Sequence, residues 1–298
     1  MTERPAGRAF DVAGLAAIDV HVHLHTPGDE SGTDAAARRY FGAGGDPDWT
    51  LLAEYYRSRR MVCVVFTVDE RLSGRPRVAN EAVLEFAEAN ADVAIPFVSL
   101  DPTRGQAAVD EARRLLARGG VRGLKLHPPL QQFVPNDRLV YPLYEVFAEA
   151  RLPVIFHTGH SGIGTGMRGG GGVRLKYGDP TPIDDVAVDF PDLPIVMAHP
   201  SFPWQDVALS VCLHKPQVWI DLSGWSPKYF SPTLVQYANT LLKRKVLFGS
   251  DYPLLTPDRW LADFAALPIK DDVRPLILKE NAVRLLGLTP ATGQAVDS

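Results

Sequence analysis

Eight short apolar, β-branched runs punctuate this chain, at 16–24 (AAIDVHVHL), 61–68 (MVCVVFTV), 93–100 (VAIPFVSL), 121–127 (VRGLKLH), 152–158 (LPVIFHT), 193–199 (LPIVMAH), 218–223 (VWIDLS) and 246–251 (VLFGSD). Amphipathic stretches separate most of them, the pattern of repeated βα units on a parallel sheet. Eight strands close a (β/α)8 TIM barrel, and 298 residues suit an architecture that takes about 250. Helices are expected over 79–90, 106–118, 140–150, 181–190, 204–214 and 232–243, several opening after a Pro, Asp or Thr start signal. A further helix over 271–286 closes the chain against the barrel bottom or a partner. No other repeat and no linker is visible, so one barrel domain over 1–298 is expected.

Two connections exceed what a minimal barrel needs. The first, 25–60, is long and rich in Gly and Asp, and it carries Tyr40, Phe41, Trp49, Tyr55 and Tyr56. Long loops in compact domains serve as lids or partner surfaces, and this one makes a homodimer or higher homo-oligomer plausible. The other, 162–180 (GIGTGMRGGGGVRLKYGDP), holds seven glycines in eleven residues and the cations Arg168, Arg174 and Lys176. No GKS or GKT follows it, which argues against a phosphate-cradling Walker loop and leaves a flexible substrate loop or plain disorder. A net charge of −4 argues against a nucleic-acid partner. The apolar runs fall far below the roughly 20 residues of a membrane span, and the N-terminus lacks an apolar signal region, so a soluble cytoplasmic protein is expected. Two cysteines, Cys63 and Cys212, make no disulfide framework and read as core residues.

Active sites of such barrels lie at the C-terminal strand ends, and these ends are loaded with chemistry. His21 and His23 stand two apart on the first run, where alternation along a strand sends both imidazoles to one side. Lys125 and His127 end the fourth run, His157 the fifth, His199 the sixth and Asp251 the eighth. Each alone reads as a packed core residue as readily as a functional one; together, on one rim, they read as a metal-ligand set. Trp204 and Trp225, following the sixth and seventh runs, supply an aromatic wall for a planar substrate or simply pack the rim.

The ordered motifs HVH (21–23), KLHP (125–128), FHTG (156–159), AHP (198–200) and GSDYP (249–253) resemble the amidohydrolase superfamily over nearly the whole chain. Within it they resemble the amidohydrolase-related branch of aminocarboxymuconate semialdehyde decarboxylase, resorcylate decarboxylases and pyrone dicarboxylate lactonase. The resemblance implies one divalent metal, zinc first and manganese second, on His21, His23, His157 and Asp251, with His199 catalytic; a carboxylate kept ionised beside such a cation also lets Asp251 take the water's proton as base. Zinc suits such nitrogen and oxygen donors and lowers the pKa of a bound water toward about 7. Lys125 stays open: other branches carbamylate this lysine to bridge two metals, while a one-metal branch leaves Lys125 and His127 to bind an anionic substrate group. The segments MAHPSFPWQDVAL, IDLSGWSPKYF and VLFGSDYPLLTPDRW resemble a closer subgroup of hydroxyphenyl β-ketoacyl-CoA hydrolases. That implies hydrolytic carbon–carbon cleavage in aromatic acid catabolism, with Arg168 and the basic loop meeting the phosphates of a CoA thioester. The rival is non-oxidative decarboxylation of an aromatic or muconate-type acid, followed by lactone or amide hydrolysis.

Overall fold

A computed structural model describes residues 11–25, 32–42, 48–74 and 78–288. Its strands are β1 Ala17–His23, β2 Met61–Phe66, β3 Ala94–Pro96, β4 Val98–Ser99, β5 Leu124–Leu126, β6 Val154–His157, β7 Ile195–Ala198, β8 Val218–Asp221 and β9 Val246–Leu247. All neighbouring pairs run parallel. β3 and β4 are one barrel strand interrupted at Phe97: β3 pairs with β2 and β4 with β5, and the Phe97 amide still reaches the Val65 carbonyl at 2.9 Å. Pro96 has no N–H to give the ladder. The ring closes between the last and first strands, where Val20 N donates to Phe248 O at 3.0 Å, Asp251 N to His21 O at 3.0 Å and His23 N to Tyr252 O at 2.8 Å. The eight apolar runs of the sequence are therefore the eight staves of a TIM barrel.

Side chains sort into two cores. Inside the barrel lie Ile18, Val20, Val62, Val64, Phe97 and Ile155, plugged at the bottom by Leu285 and Leu286. Outside it, Val22, Cys63, Val65 and their neighbours meet the helical layer. The closing segment runs as a π-helical turn, Leu276–Glu280, into an α-helix, Asn281–Leu286, so the C-terminal stretch seals the barrel bottom. Both cysteines are buried, and burial pushes the Cys212 thiol up to about 12.

The connection 25–60 is less irregular than its composition suggests. Helices occupy Gly32–Phe41 and Trp49–Ser58; in the second, Asp48 caps the N-terminus by accepting from Thr50 N at 2.7 Å, and Leu52, Ala53 and Tyr56 form one buried stripe. A further helix runs over Pro257–Ala265, opened by Pro257 and capped by Thr256, where the sequence reading placed none. The glycine-rich stretch forms short 3-10 turns at Arg168–Gly172 and Leu175–Gly178, with Gly169, Gly170 and Gly171 all left-handed at φ near 60°. Only a glycine run adopts three such conformations in a row without steric cost. Among the described residues no helix is long and apolar enough to cross a membrane.

Candidate active site

A one-residue irregularity in β1 decides where its histidines point. Asp19 pairs with Cys63 and Val22 with Val65, so β1 spends three residues where β2 spends two. The extra residue is a bulge, and it reverses the alternation. Ile18 and Val20 face the barrel interior below it; above it His21 and His23 face inward and Val22 outward. At the top of the barrel His21 Nε2 lies 3.3 Å from His23 Nε2 and 3.3 Å from Asp251 Oδ1, which is 3.1 Å from His23 Nε2.

Hydrogen bonding dictates what these atoms can do. His21 Nδ1 donates to Asp221 Oδ2 at 3.1 Å, so its Nε2 carries the lone pair, shared between the cluster and Lys125 Nζ at 3.1 Å. Burial, reinforced by Lys125, drives the His21 pKa down to about 3 against Asp221 and Asp251, so the ring is neutral. Burial also opposes ionisation of Asp221, but the His21 imidazole and hydrogen bonds from His21 and Ser223 hold it well below the ordinary carboxylate range. A neutral imidazole oriented by a carboxylate, with a second imidazole and a carboxylate oxygen beside it, is the donor chemistry of a divalent metal site. The donor atoms of His21, His23 and Asp251 lie within 4.8 Å of one another. His21, His199 and Asp221 are equally close, but there the His21 Nδ1 proton and the Asp221 oxygen are spent on each other.

His157 stands beside this trio in a second chain of contacts. His199 Nδ1 donates to the Ser223 carbonyl at 3.0 Å, which leaves His199 Nε2 to accept from His157 Nδ1 at 2.9 Å. His157 Nε2 is then a bare nitrogen, buried and with no hydrogen-bond partner. Such an atom costs free energy unless something binds it. The His157 ring stacks on His127 at 3.9 Å between centroids, and burial, with neighbouring imidazoles, holds both well below the usual histidine range. His127 is tied down, its amide donating to Gln131 Oε1 at 2.8 Å and its Nδ1 accepting from Leu130 N at 3.4 Å.

Sequence reasoning passed over several residues on which this geometry depends. Asp19, fully buried, accepts from His21 N at 3.1 Å, Ser250 N at 2.9 Å, Ser250 Oγ at 2.5 Å and Tyr56 OH at 2.8 Å. It thereby fastens the start of the HxH bulge to the residue before Asp251 and to the helix Trp49–Ser58. Burial pushes its pKa up to about 7 against the hydrogen bonds from Ser250, Tyr56 and His21. Ser223 Oγ bridges Asp221 Oδ1 and His199 Nδ1. His199 and Asp251 both hold left-handed backbones, φ 75° and 74°, conformations that non-glycine residues keep only where surrounding contacts impose them. Gly224, at φ 73°, has no room for a side chain: a Cβ there would lie 2.6 Å from His199 Nδ1 and 3.2 Å from Asp251 Oδ2. The signal for Asp19 and Asp221 was a carboxylate inside an otherwise apolar strand, where an unpaired charge is too costly to bury.

A cavity of about 360 Å³ opens above the cluster, with buried His157, His199 and Asp251 on its floor and Tyr40, Trp225, Tyr229 and Arg259 around it. His23 and His127 line an adjoining recess of about 40 Å³. Of the residues singled out from sequence, His21, His23 and Asp251 converge, His157 and His199 adjoin them, and Trp225 forms cavity wall. Lys125 does not reach the cavity: it is fully buried, its Nζ 3.1 Å from His21 Nε2, and burial lowers its pKa to about 8 against Asp221 and Asp251. Arg168 is exposed, and neither it nor Trp204 lines the cavity.

Comparison with known proteins agrees with this architecture. A family model described as amidohydrolase matches residues 18–288. A TIM-barrel protein from Bordetella bronchiseptica superposes with a TM-score of 0.73 at 26% identity, over 91% of this chain and 98% of the other. A probable 2-pyrone-4,6-dicarboxylic acid hydrolase from Acinetobacter baumannii gives 0.61 at 18% identity, over 92% and 100%. A manganese-bound 5-carboxyvanillate decarboxylase from Novosphingobium aromaticivorans gives 0.66 at 12% identity, over 92% and 98%. No curated protein matches the sequence. The chain belongs to the amidohydrolase family and is an enzyme of that family.

Proposed function

We propose that this amidohydrolase-family enzyme carries one divalent metal, zinc or manganese, on His21, His23, Asp251 and His157, and hydrolyses a carbon–carbon bond of an aromatic β-ketoacyl thioester. The observation that carries the metal reading is the convergence of His21 Nε2, His23 Nε2 and Asp251 Oδ1 beside the orphaned, buried His157 Nε2. Both orphan and trio fit a cation better than they fit a solvated or packed state. When bound, the metal supplies Lewis acidity toward a substrate carbonyl and a lowered pKa for water.

The chain's own residues do the remaining work. Asp251 Oδ2 lies on the side of Gly224, which lines the cavity, and accepts the proton of the attacking water. His199, fixed through Nδ1 by the Ser223 carbonyl, gives up its His157 contact at Nε2 to substrate, takes the water's proton there from Asp251, donates a hydrogen bond to the oxyanion that develops on the ketone, and hands that proton to the enolate carbon as the carbon–carbon bond breaks. Tyr40, Trp225 and Tyr229 hold a planar ring against the floor and exclude water. Lys125, buried against His21 Nε2, contributes positive charge beneath the ligands rather than a contact to substrate.

The same cavity is sized for a single-ring acid without CoA, and this favours non-oxidative decarboxylation of an aromatic acid as the second reading. A panel of hydroxyphenyl β-ketoacyl-CoA thioesters and hydroxybenzoates, assayed with zinc- and manganese-reconstituted protein, separates the two. The first reading requires acetyl-CoA and an aromatic acid in equal amounts. Release of CO2 from a hydroxybenzoate with no thioester turnover replaces it with the second, and turnover that survives complete metal removal overturns both.

A further inference from the structure

The cavity wall contains a charged side chain, Arg259, that the chemistry above leaves unused. Arg259 sits in the first turns of the helix Pro257–Ala265, solvent-exposed, while the catalytic histidines and Asp251 are buried. It therefore stands at the mouth of the cavity, and among the described lining residues it is the sole lysine or arginine. Its place is fixed by its neighbour: Trp260 is fully buried, donates to Leu222 O at 3.1 Å and stacks on Phe264 at 4.8 Å. With Trp260 locked into the core, the adjacent residue has a set direction.

Several other arginines on this surface are spoken for. Arg57 pairs with Asp92, Arg59 with Asp258, Arg104 with Asp69 and Glu111, Arg114 with Glu81 and Arg118 with Glu88. The carboxylates nearest Arg259 in sequence are engaged elsewhere, Asp258 by Arg59 and Asp263 by the Ser226 hydroxyl at 2.5 Å. Among the described residues no carboxylate pairs with the Arg259 guanidinium. A guanidinium beside an aromatic-walled cavity, with no protein counter-ion, presents a planar fork of donors suited to a carboxylate or phosphate.

We propose that Arg259 is a substrate-specificity residue that binds an anionic oxygen group at the end of the substrate remote from the reacting carbon. The inference rests on the cavity being the substrate site, as in the function proposed above, and it narrows the substrate class. The ring lies between the aromatic walls, its reacting end meets the floor, and its far end carries negative charge at the mouth. That charge comes from a second carboxylate on a planar acid or from a phosphate of CoA, and the guanidinium recognises either.

Calorimetric titration of zinc-loaded protein with benzoate, isophthalate and free CoA tests the assignment. Wild type is expected to bind isophthalate or CoA about 10–100-fold more tightly than benzoate, the scale of one charge-assisted pair. Arg259→Met, which keeps the apolar stem, is expected to erase that preference and leave benzoate affinity unchanged; Arg259→Lys should restore part of it. Loss of the isophthalate preference identifies a second carboxylate as the source, and loss of the CoA preference identifies a phosphate. A preference that survives in Arg259→Met, or that wild type lacks, overturns the proposal. Repeating the titration after metal removal keeps the two ideas apart. Metal-dependent benzoate binding with no effect at Arg259 sinks only the anchor, whereas absence of metal-dependent binding by all three probes sinks the site reading itself.

Discussion

Replacing Asp221 by Asn changes no atom that would touch metal or substrate, yet the hydrogen-bond network predicts that it cripples the metal site. Asp221 Oδ1 accepts from Ser223 N at 2.9 Å, from Ser223 Oγ and from His199 N at 3.5 Å, whereas Oδ2 has one partner, His21 Nδ1. An asparagine must put its carbonyl oxygen where three donors wait, which turns its NH2 toward His21. His21 Nδ1 then becomes an acceptor, the ring proton moves to Nε2, and the nitrogen that faces His23 and Asp251 carries a hydrogen instead of a lone pair. Metal binding must reverse that tautomer against a buried, well-made network. Loss of such an orienting partner costs about 10–100-fold in metal affinity, or about 1.4–2.8 kcal/mol, comparable to one hydrogen bond to a charged group. Zinc affinity measured by chelator competition, with folding checked by circular dichroism, reads this directly. An Asp221→Asn protein that is folded and binds zinc within about twofold of wild type would refute the tautomer argument, because twofold is about 0.4 kcal/mol.

Fully loaded wild type should contain one metal per chain by elemental analysis, and His157→Ala should lose most of it; two metals, or full retention in the variant, would contradict the ligand set. His199→Ala should keep its metal and lose turnover by about 10² or more, so near-normal turnover per metallated chain would remove its catalytic role. Tyr56→Phe takes one of four donors from buried Asp19 and should cost about 1.5–3 kcal/mol in urea unfolding; a change below about 0.5 kcal/mol would mean that Asp19 does not depend on this bond. Gly224→Ala should displace His199, since the new Cβ would lie 2.6 Å from its Nδ1, and unaltered imidazole NMR shifts for His199 would show that the site yields without disturbance.

Strand ends were legible in this sequence because the signal is local: an apolar run ending in His, Lys or Asp shows both its register and its polar tip. The two-residue spacing of His21 and His23 correctly put both rings on one side. Which side was not legible, because the bulge between Asp19 and Val22 breaks the alternation that links them to Ile18 and Val20. Read with strict alternation, the histidines would fall on the opposite face from Ile18 and Val20 and hence outside the barrel. What makes the bulge is itself non-local: Asp19, turned outward, is met by Tyr56 from one helix and Ser250 from the far end of the chain. The helices inside 25–60 were hidden for a related reason, their aromatic residues reading as a loop until Tyr56 is seen to reach Asp19. Asp221 carries only the signal of a carboxylate in an apolar strand, and its partner is 200 residues away; Arg259 carries none, being an ordinary surface arginine until the barrel brings it to the cavity.

The same separation explains how the parts of this site can vary independently. The clustered atoms of His21, His23 and Asp251 are held by buried groups, Asp19, Asp221 and Ser223, that lie at strand ends or just beyond them and are fixed by the barrel's own hydrogen bonds. The groups at the cavity mouth, Tyr40, Tyr229 and Arg259, come from connections and outer helices and are exposed. A substitution at the mouth leaves this buried network in place, whereas one beneath the histidines breaks hydrogen bonds within it. Changes of substrate in this fold are therefore expected at positions such as Arg259, and changes of metal affinity at positions such as Asp221, although neither residue belongs to the HxH, FHTG or AHP motifs.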